Sequence, residues 1–207
     1  MPVETPQFLY FDLGKVLFNF DHSRVCKQLA EVAGLPLGDT QAFFSENDFH
    51  IQLETGEITP RQAYEEFCTQ MKVSPSFDEV MFAVSDIFWI NDPILSLVSR
   101  LAMANTPMGI LSNTSAPHWD FLQNGKFPLL SMFQLAALSF ELKSMKPDGA
   151  IYKAAEEMAG FSGSQVFFTD DRQENIDGAL AAGWQAELFT SASKLEETLR
   201  GLGVRFI

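Results

Sequence analysis

The chain has 207 residues, 46% of them hydrophobic and 20% charged, with no low-complexity run, enough for one large domain or a domain with a small companion. Its 27 acids against 14 bases leave a formal net charge of −13. That field repels phosphate backbones and anionic lipid, which excludes nucleic acid and membranes as expected partners and leaves anions only a site built locally from cations and backbone N–H groups.

The opening stretch MPVETPQFLYF has no basic segment leading into a long apolar core, so it does not read as a signal peptide, and no window is apolar for long enough to span a bilayer. Residues 8–14 form the first predicted strand, a buried apolar run that meets Asp12 and then Gly14 at its end. The next convincing strand begins only at residue 107, whereas a parallel crossover needs about a dozen residues and a helix. The intervening stretch reads as helical. Val25, Leu29 and Val32 share one face; so do Tyr64, Phe67, Cys68 and Met71 after a Thr59–Pro60 start, and Phe77, Met81, Val84 and Phe88 repeat the spacing. Residues 92–105 supply the crossover helix. Residues 18–91 are therefore expected to be a helical insertion in a core made of residues 1–17 and 92–207. Cys26 and Cys68 lie on the apolar sides of these helices without metal or disulfide spacing, and read as buried free thiols suited to a reducing cytoplasm. Phe43, Phe44, Phe49, Phe88 and Trp89 read chiefly as the insertion's own core.

Beyond residue 107 the rhythm is regular. Strands are expected at 107–113, 133–140, 165–170 and 184–190. Helices are expected at 115–125, at 147–160 with Pro147 at its first position and Gly160 as its stop, at 172–183 closed by Gly183, and at 193–203. Strand–helix alternation of this kind predicts an α/β fold, a parallel sheet with helices on both faces. In such sheets ligands bind at the carboxyl ends of the strands, so an insertion leaving the end of the first strand would overhang the crevice.

The chemistry-bearing residues collect at that edge. Asp12 ends the first strand, Ser112 and Asn113 the second, and Asp170 and Asp171 the fourth, while Lys146 precedes the helix at Pro147. Singly each has an ordinary reading: a strand-end aspartate forms turns, SNT caps a helix, a lysine is solvated, and paired aspartates favour a helix N-terminus. Together they are far more specific. Three carboxylates so close repel one another, by about 4 kcal/mol for a pair about 4 Å apart at an effective dielectric of about 20. One lysine does not offset all of that, and an all-oxygen site with room for water suits Mg²⁺.

The order FDLGKVL, LSNT, SMKPDGAIY, VFFTDDRQENIDGA resembles the four motifs of the haloacid dehalogenase superfamily, and more closely the branch holding bacterial α-glucose-1-phosphate phosphatases and the phosphatase domain of soluble epoxide hydrolases. The resemblance covers nearly the whole chain and implies a Rossmann-like core with a cap after the first motif. It implies Asp12 as nucleophile forming an aspartyl-phosphate, with Ser112 and Asn113 holding the phosphoryl group. Lys146 would neutralise the nucleophile and phosphoryl oxygens, and Asp170 would orient water or Lys146. Mg²⁺ would be held by Asp12, the Gly14 carbonyl and Asp171. The implied substrate is a small phosphorylated metabolite, for instance a sugar phosphate.

One position departs from most of the superfamily. Where they carry a second aspartate as general acid and base, this chain has Gly14, as do some members of the branch it resembles. Acid–base help is worth about 10²–10⁴ in rate, so a slower or choosier phosphatase is expected. His118, Asp21 and His22 are the available substitutes, although His118 reads more simply as a residue docking the insertion, Asp21 as a helix cap and His50 as structural or exposed. Lys15 either attracts anions or points to solvent. Two rival functions remain: a 2-haloacid dehalogenase, whose halide leaves without a proton but which lacks the acidic pair, and a binding protein that lost turnover with its acid.

Overall fold

A computed structural model describes residues 4–124 and 127–206; the expected ends of the core at residues 1 and 207, and of one helix at Gly125, lie outside them. Five strands form one parallel sheet: β1 (Phe8–Phe11), β4 (Met108–Ser112), β5 (Leu135–Leu138), β6 (Val166–Asp170) and β7 (Gln185–Leu188), in the order β5-β4-β1-β6-β7. All five were expected, with longer bounds. β1 is central because its residues are apolar on both faces, and alternation sends them to two cores. Leu9 and Phe11 pack with Ile94, Leu97 and Leu101 of α6 (Asp92–Met103), Leu122 of α7 (Ala116–Gln123) and Leu199 of α11 (Ala192–Gly201). Phe8 and Tyr10 pack on the other face with Ile151, Tyr152 and Ala155 of α9 (Gly149–Ala159) and with Ile176 and Ala179 of α10 (Gln173–Ala181). Helices thus cover both faces.

Because β4 and β6 flank β1, the chain leaves β1 in opposite senses on its two sides, the arrangement that opens a crevice at the strands' carboxyl ends. Phe11 lies beside Ile110 on one side and Thr169 on the other. A last ladder bond, from the Asp12 N–H to the Thr169 carbonyl at 2.9 Å, pins Asp12 at the rim.

The insertion is not wholly helical. Its entry and exit form an antiparallel ribbon, β2 (Phe18–Phe20) with β3 (Phe88–Ile90), in which Phe18 faces Ile90 and Phe20 faces Phe88. Phe88, expected to extend a helix, is instead on β3. Between the strands lie α1 (Ser23–Ala33), α2 (Leu37–Glu46), α3 (Phe49–Glu54), α4 (Pro60–Met71) and α5 (Phe77–Ser85). Capping boxes Thr59/Gln62 and Ser76/Glu79 start α4 and α5, and a left-handed Gly34 ends α1. Leu29, Phe43, Phe67, Val80 and Ala83 form a separate apolar cluster there. Both cysteines are free but half-buried, so the expected full burial does not hold, and Cys26 borders a cavity described below.

The helix expected from Pro147 begins later. Asp148 is its N-cap, accepting from the Ala150 N–H at 2.9 Å, and Pro147 belongs to the turn that presents Lys146, joined to it by a cis peptide. That turn packs directly on α10: a Cβ added at Gly178 would lie 3.0 Å from the Pro147 carbonyl oxygen and 2.8 Å from the Tyr152 hydroxyl. Gly178→Ala is therefore expected to destabilise the fold by about 1–3 kcal/mol through overpacking, despite alanine's better helix propensity. Gly149→Ala, with open space at its Cβ, should fall within about 0.5 kcal/mol of the parent. Urea unfolding of the two variants checks the contrast.

Candidate active site

The sheet edge brings Asp12, Lys146 and Asp170 into one buried triad. The Lys146 ammonium donates to Asp12 Oδ1 at 2.7 Å, Asp170 Oδ2 at 2.6 Å and the Leu111 carbonyl at 2.9 Å, using all three of its protons. Exposure is 8% for Asp12, 4% for Lys146 and 0% for Asp170, so the pairs interact with little screening. Burial raises the Asp12 carboxyl to about 7; Lys146 opposes the rise and Asp170 adds to it. For Lys146 burial works against the charge, but the two carboxylates outweigh it and the net shift is upward, keeping the ammonium charged.

The main chain around this lysine is locked. The Asn113 carboxamide donates to the Lys146 carbonyl at 2.9 Å and accepts from the Lys146 N–H at 2.8 Å, so its side chain is engaged in holding the lysine loop. Sequence reading assigned Asn113 to the phosphoryl group; the structure gives its side chain a different task. Ser112, 2% exposed at the end of β4, has its hydroxyl 3.4 Å from the Asn113 carbonyl, a long contact. Asp170 is fixed by the Arg172 N–H at 2.8 Å and by Asn175 Nδ2 at 2.9 Å. The sequence analysis gave Asn175 no role. Its i+5 placement on the helix after the acidic pair was the available signal.

Asp171 is exposed, yet one carboxylate oxygen from each of Asp12, Asp170 and Asp171 lies within 4.8 Å of the others. Partial desolvation of the carboxyl at the edge of the cluster raises it, and the neighbouring Asp170 charge adds to the rise. A cluster of hard oxygen donors with one exposed member is suited to a divalent cation with water in its shell.

The turn after Asp12 explains Gly14 in steric terms. Lys15, Leu17 and Phe18 close a tight loop through N–H bonds to Phe18, Leu13 and Leu13 carbonyls at 2.6, 3.1 and 2.8 Å. The ribbon then turns Phe20 back over the site: a Cβ at Gly14 would meet the Phe20 ring at 2.8 Å. Gly14 is not in the left-handed region, so the obstacle to a side chain there is the ring and not the backbone. Lys15 is resolved too. Its ammonium donates to the Phe20 carbonyl at 3.1 Å and stands 4.3 Å from the Phe20 ring centroid, anchoring that ring. Among the suggested substitute acids, His118 is half-buried and pushed down to about 4 by desolvation, with Nε2 donating to the Val84 carbonyl at 3.2 Å. It docks α7 onto the insertion. Asp21 accepts from the Ser23 N–H at 2.9 Å in the first turn of α1, and His50 is exposed.

A cavity of about 470 Å³ opens inside the insertion, walled by α1–α5 and by Ser115, Pro117 and His118 of the core. Sequence reading took Phe43, Phe44 and Phe49 as chiefly core; all three face this space. Glu54, which sequence reading did not single out, also lines it. Its carboxyl is raised by burial against opposing effects of His50, Arg172 and Lys146. Its carbonyl accepts from Ser139 Oγ at 2.6 Å, and that hydroxyl accepts from the Thr114 N–H at 3.0 Å, tying α3 to the segment after Ser112.

A parallel α/β sheet with a buried carboxylate–ammonium–carboxylate triad and a third acid at its switch point defines a class of enzyme-like site that faces anions with a cation's help. The sequence model of the haloacid dehalogenase-like hydrolases matches residues 11–183, and the chain belongs to that family. A HAD family enzyme from Bacteroides thetaiotaomicron, in complex with magnesium and inorganic phosphate, is 26% identical with a TM-score of 0.78 over 90% of this chain and 95% of that one. A predicted HAD-like hydrolase from Porphyromonas gingivalis (19% identity, TM-score 0.77, 95% and 98% covered) shares the fold, as does a 2-haloacid dehalogenase from Pseudomonas syringae (17%, 0.62, 95% and 99%).

Removing the ammonium should expose how much the triad depends on it. Lys146→Met leaves two buried carboxylates facing each other and is expected to cost about 3–5 kcal/mol near pH 8. Lys146 holds the Asp12 carboxyl down, so without the lysine that carboxyl rises further above its unfolded value, the folded state takes up a proton, and the loss shrinks as pH falls toward about 5. Urea unfolding at the two pH values checks both sign and size.

Proposed function

We propose that the chain is a Mg²⁺-dependent phosphatase of small organic phosphate monoesters, with residues 18–91 acting as its cap. The observation that carries this reading is the Lys146 ammonium held between Asp12 and Asp170, with Asp171 completing the acidic cluster. Asp12 Oδ attacks phosphorus and the bond to the ester oxygen breaks, leaving an aspartyl-phosphate and an alkoxide that takes its proton from water, since position 14 offers none. Water then attacks phosphorus and the bond to the Asp12 oxygen breaks, with Asp170 keeping Lys146 in place, which releases inorganic phosphate and free Asp12. Lys146 offsets charge on the transferring oxygens throughout, and Ser112 with the Asn113 backbone holds them. Mg²⁺, bound by Asp12, Asp171 and the Gly14 carbonyl, would supply further charge neutralisation. The Bacteroides enzyme's complex with magnesium and phosphate supports both the ion and the phosphoryl group for this chain. Unpaired cysteines fit a cytoplasmic setting, and no helix among the described residues is long and apolar enough to cross a membrane. The net charge disfavours nucleic acid and anionic membranes.

Gly14 also suits a 2-haloacid dehalogenase, because halide leaves unprotonated. The Asp170–Asp171 pair opposes that reading, because displacement at carbon needs no metal. A screen of phosphorylated metabolites is expected to show phosphate release that needs Mg²⁺, stops with chelator, and is lost in Asp12→Asn. Chelator-resistant chloride release from 2-chloropropionate would instead establish the dehalogenase, and binding of phosphorylated metabolites without release would establish a phosphoryl-binding protein.

Protons and the cation compete for Asp12. With its carboxyl at about 7 in the metal-free protein, Mg²⁺ affinity should weaken about tenfold from about pH 8 to about pH 6, and tryptophan fluorescence titration checks it.

A further inference from the structure

The chain has no acid at position 14, yet an alkoxide leaves phosphorus slowly unless it is protonated as the bond breaks. A carboxyl group on the insertion is placed to give that proton. Glu54 is the only carboxylate among the described residues that line the cavity, and it is half-buried. Its carboxyl makes no hydrogen bond and no ion pair with any described residue. Burying a charge without a partner costs free energy, and nothing around Glu54 offsets that cost locally. Other acids of the insertion are spent on helix starts: Glu79 accepts from the Ser76 hydroxyl and Asp21 from the Ser23 N–H.

The backbone beneath Glu54 is fastened to the core. Glu54 is the last residue of α3, and its carbonyl accepts from Ser139 Oγ, the hydroxyl that also accepts from the Thr114 N–H. Two residues on, the Gly56 carbonyl accepts from Lys143 Nζ, and a Cβ at Gly56 would run into the Phe140 carbonyl. The end of α3 thus abuts α8 (Ser139–Leu142) directly, beside the stretch that follows Ser112 and Asn113. Ser115 of that stretch lines the same cavity as Glu54. Lys146, which touches Asp12, and Arg172, which follows Asp171, both act electrostatically on the Glu54 carboxyl. A carboxyl carried on a fastened element, in the field of the triad's own lysine, meets the positional demand on an acid catalyst.

Protonation agrees with that position. Burial raises the Glu54 carboxyl above the usual glutamate range, while His50, Arg172 and Lys146 hold it back. The histidines nearby are poorer donors. His22 is pushed down by burial first and His50 second, and His118 is pushed down to about 4, so both are neutral near pH 7.

We propose that Glu54 is the general acid of the phosphoryl transfer, supplied by the insertion in place of the aspartate that position 14 lacks. This rests on the phosphatase reading and gives it a proton source other than solvent. As Asp12 Oδ attacks phosphorus and the ester P–O bond breaks, the protonated Glu54 carboxyl gives its proton to the departing oxygen, and the alcohol leaves neutral. The Glu54 carboxylate then takes a proton from the water that attacks the aspartyl-phosphate. The carboxyl is thereby restored as inorganic phosphate and free Asp12 are released.

The test compares the parent with Glu54→Gln on leaving groups that differ in their need for a proton. Propyl phosphate and hexose 6-phosphates release alkoxides, whereas p-nitrophenyl phosphate and acetyl phosphate release stable anions. With Mg²⁺, kcat/KM for the alkyl and hexose phosphates should fall about 10²-fold or more, while the values for the other two stay within about threefold of the parent. With p-nitrophenyl phosphate the variant should show a burst of one nitrophenolate per protein and then slower turnover, because the second step lacks its base. The carboxylate being replaced has no partner, so the melting transition of Glu54→Gln should be no lower than the parent's. Glu54→Ala should reproduce the same selective loss. An equal loss on every substrate, no loss on the alkyl and hexose phosphates, or a lowered melting transition with a uniform loss overturns the proposal and leaves the phosphatase reading intact. So does a parent that turns over only acetyl and p-nitrophenyl phosphate. A parent that releases no phosphate from any of the compounds overturns both readings.

Discussion

The structure turns on one buried ammonium. Lys146 sits between two carboxylates that could not otherwise share a dry space, and the rest of the sheet edge is arranged to keep it there. Asn113 grips its main chain from β4, Leu111 takes its third proton, and Asn175 and the Arg172 N–H hold Asp170 at the right distance. The strands contribute the rigidity, since a parallel sheet buried on both faces fixes three strand ends with little freedom. The ordering of the site is thus a packing property as much as an electrostatic one: α10 rests against the lysine turn through Gly178, where an added Cβ would crowd the Pro147 carbonyl.

The insertion solves a different problem. It attaches through a two-stranded ribbon, and that ribbon sets Phe20 and His22 against the first turn of the core. A second tether runs through Ser139 to Glu54, and Lys143 donates to the Gly56 carbonyl nearby. The helices are thereby held over the crevice from both sides, while their interior stays open.

Much of this was legible in the residues. The five sheet strands are continuous apolar runs bounded by turn formers, and a sheet buried on both faces makes them conspicuous. The acids and the lysine stood out because they recur at strand ends. What escaped was non-local or hollow. The ribbon strands are three residues each, too short for periodicity, and pair Phe18 with Ile90 across the whole insertion. Phe88 continues the spacing of Phe77, Met81 and Val84, so nothing local distinguishes it from a helical residue. Asn113 looked like a ligand for anions because its partner, the Lys146 backbone, is brought to it only by the fold. A solid core and a lined cavity use the same apolar pattern, so the role of Phe43, Phe44 and Phe49 could not be read from their spacing.

The ring above Gly14 bears on how this protein can change. A Cβ at that position lies 2.8 Å from the Phe20 ring, so a side chain there requires the ring, packed on His22 and Phe88 and held by the Lys15 ammonium, to shift. The identities of positions 14 and 20 are therefore coupled: a larger residue at one asks for movement or trimming at the other. A change that enlarges residue 14 is thus easier in a background where residue 20 is already shorter, and the order in which the two substitutions are made matters.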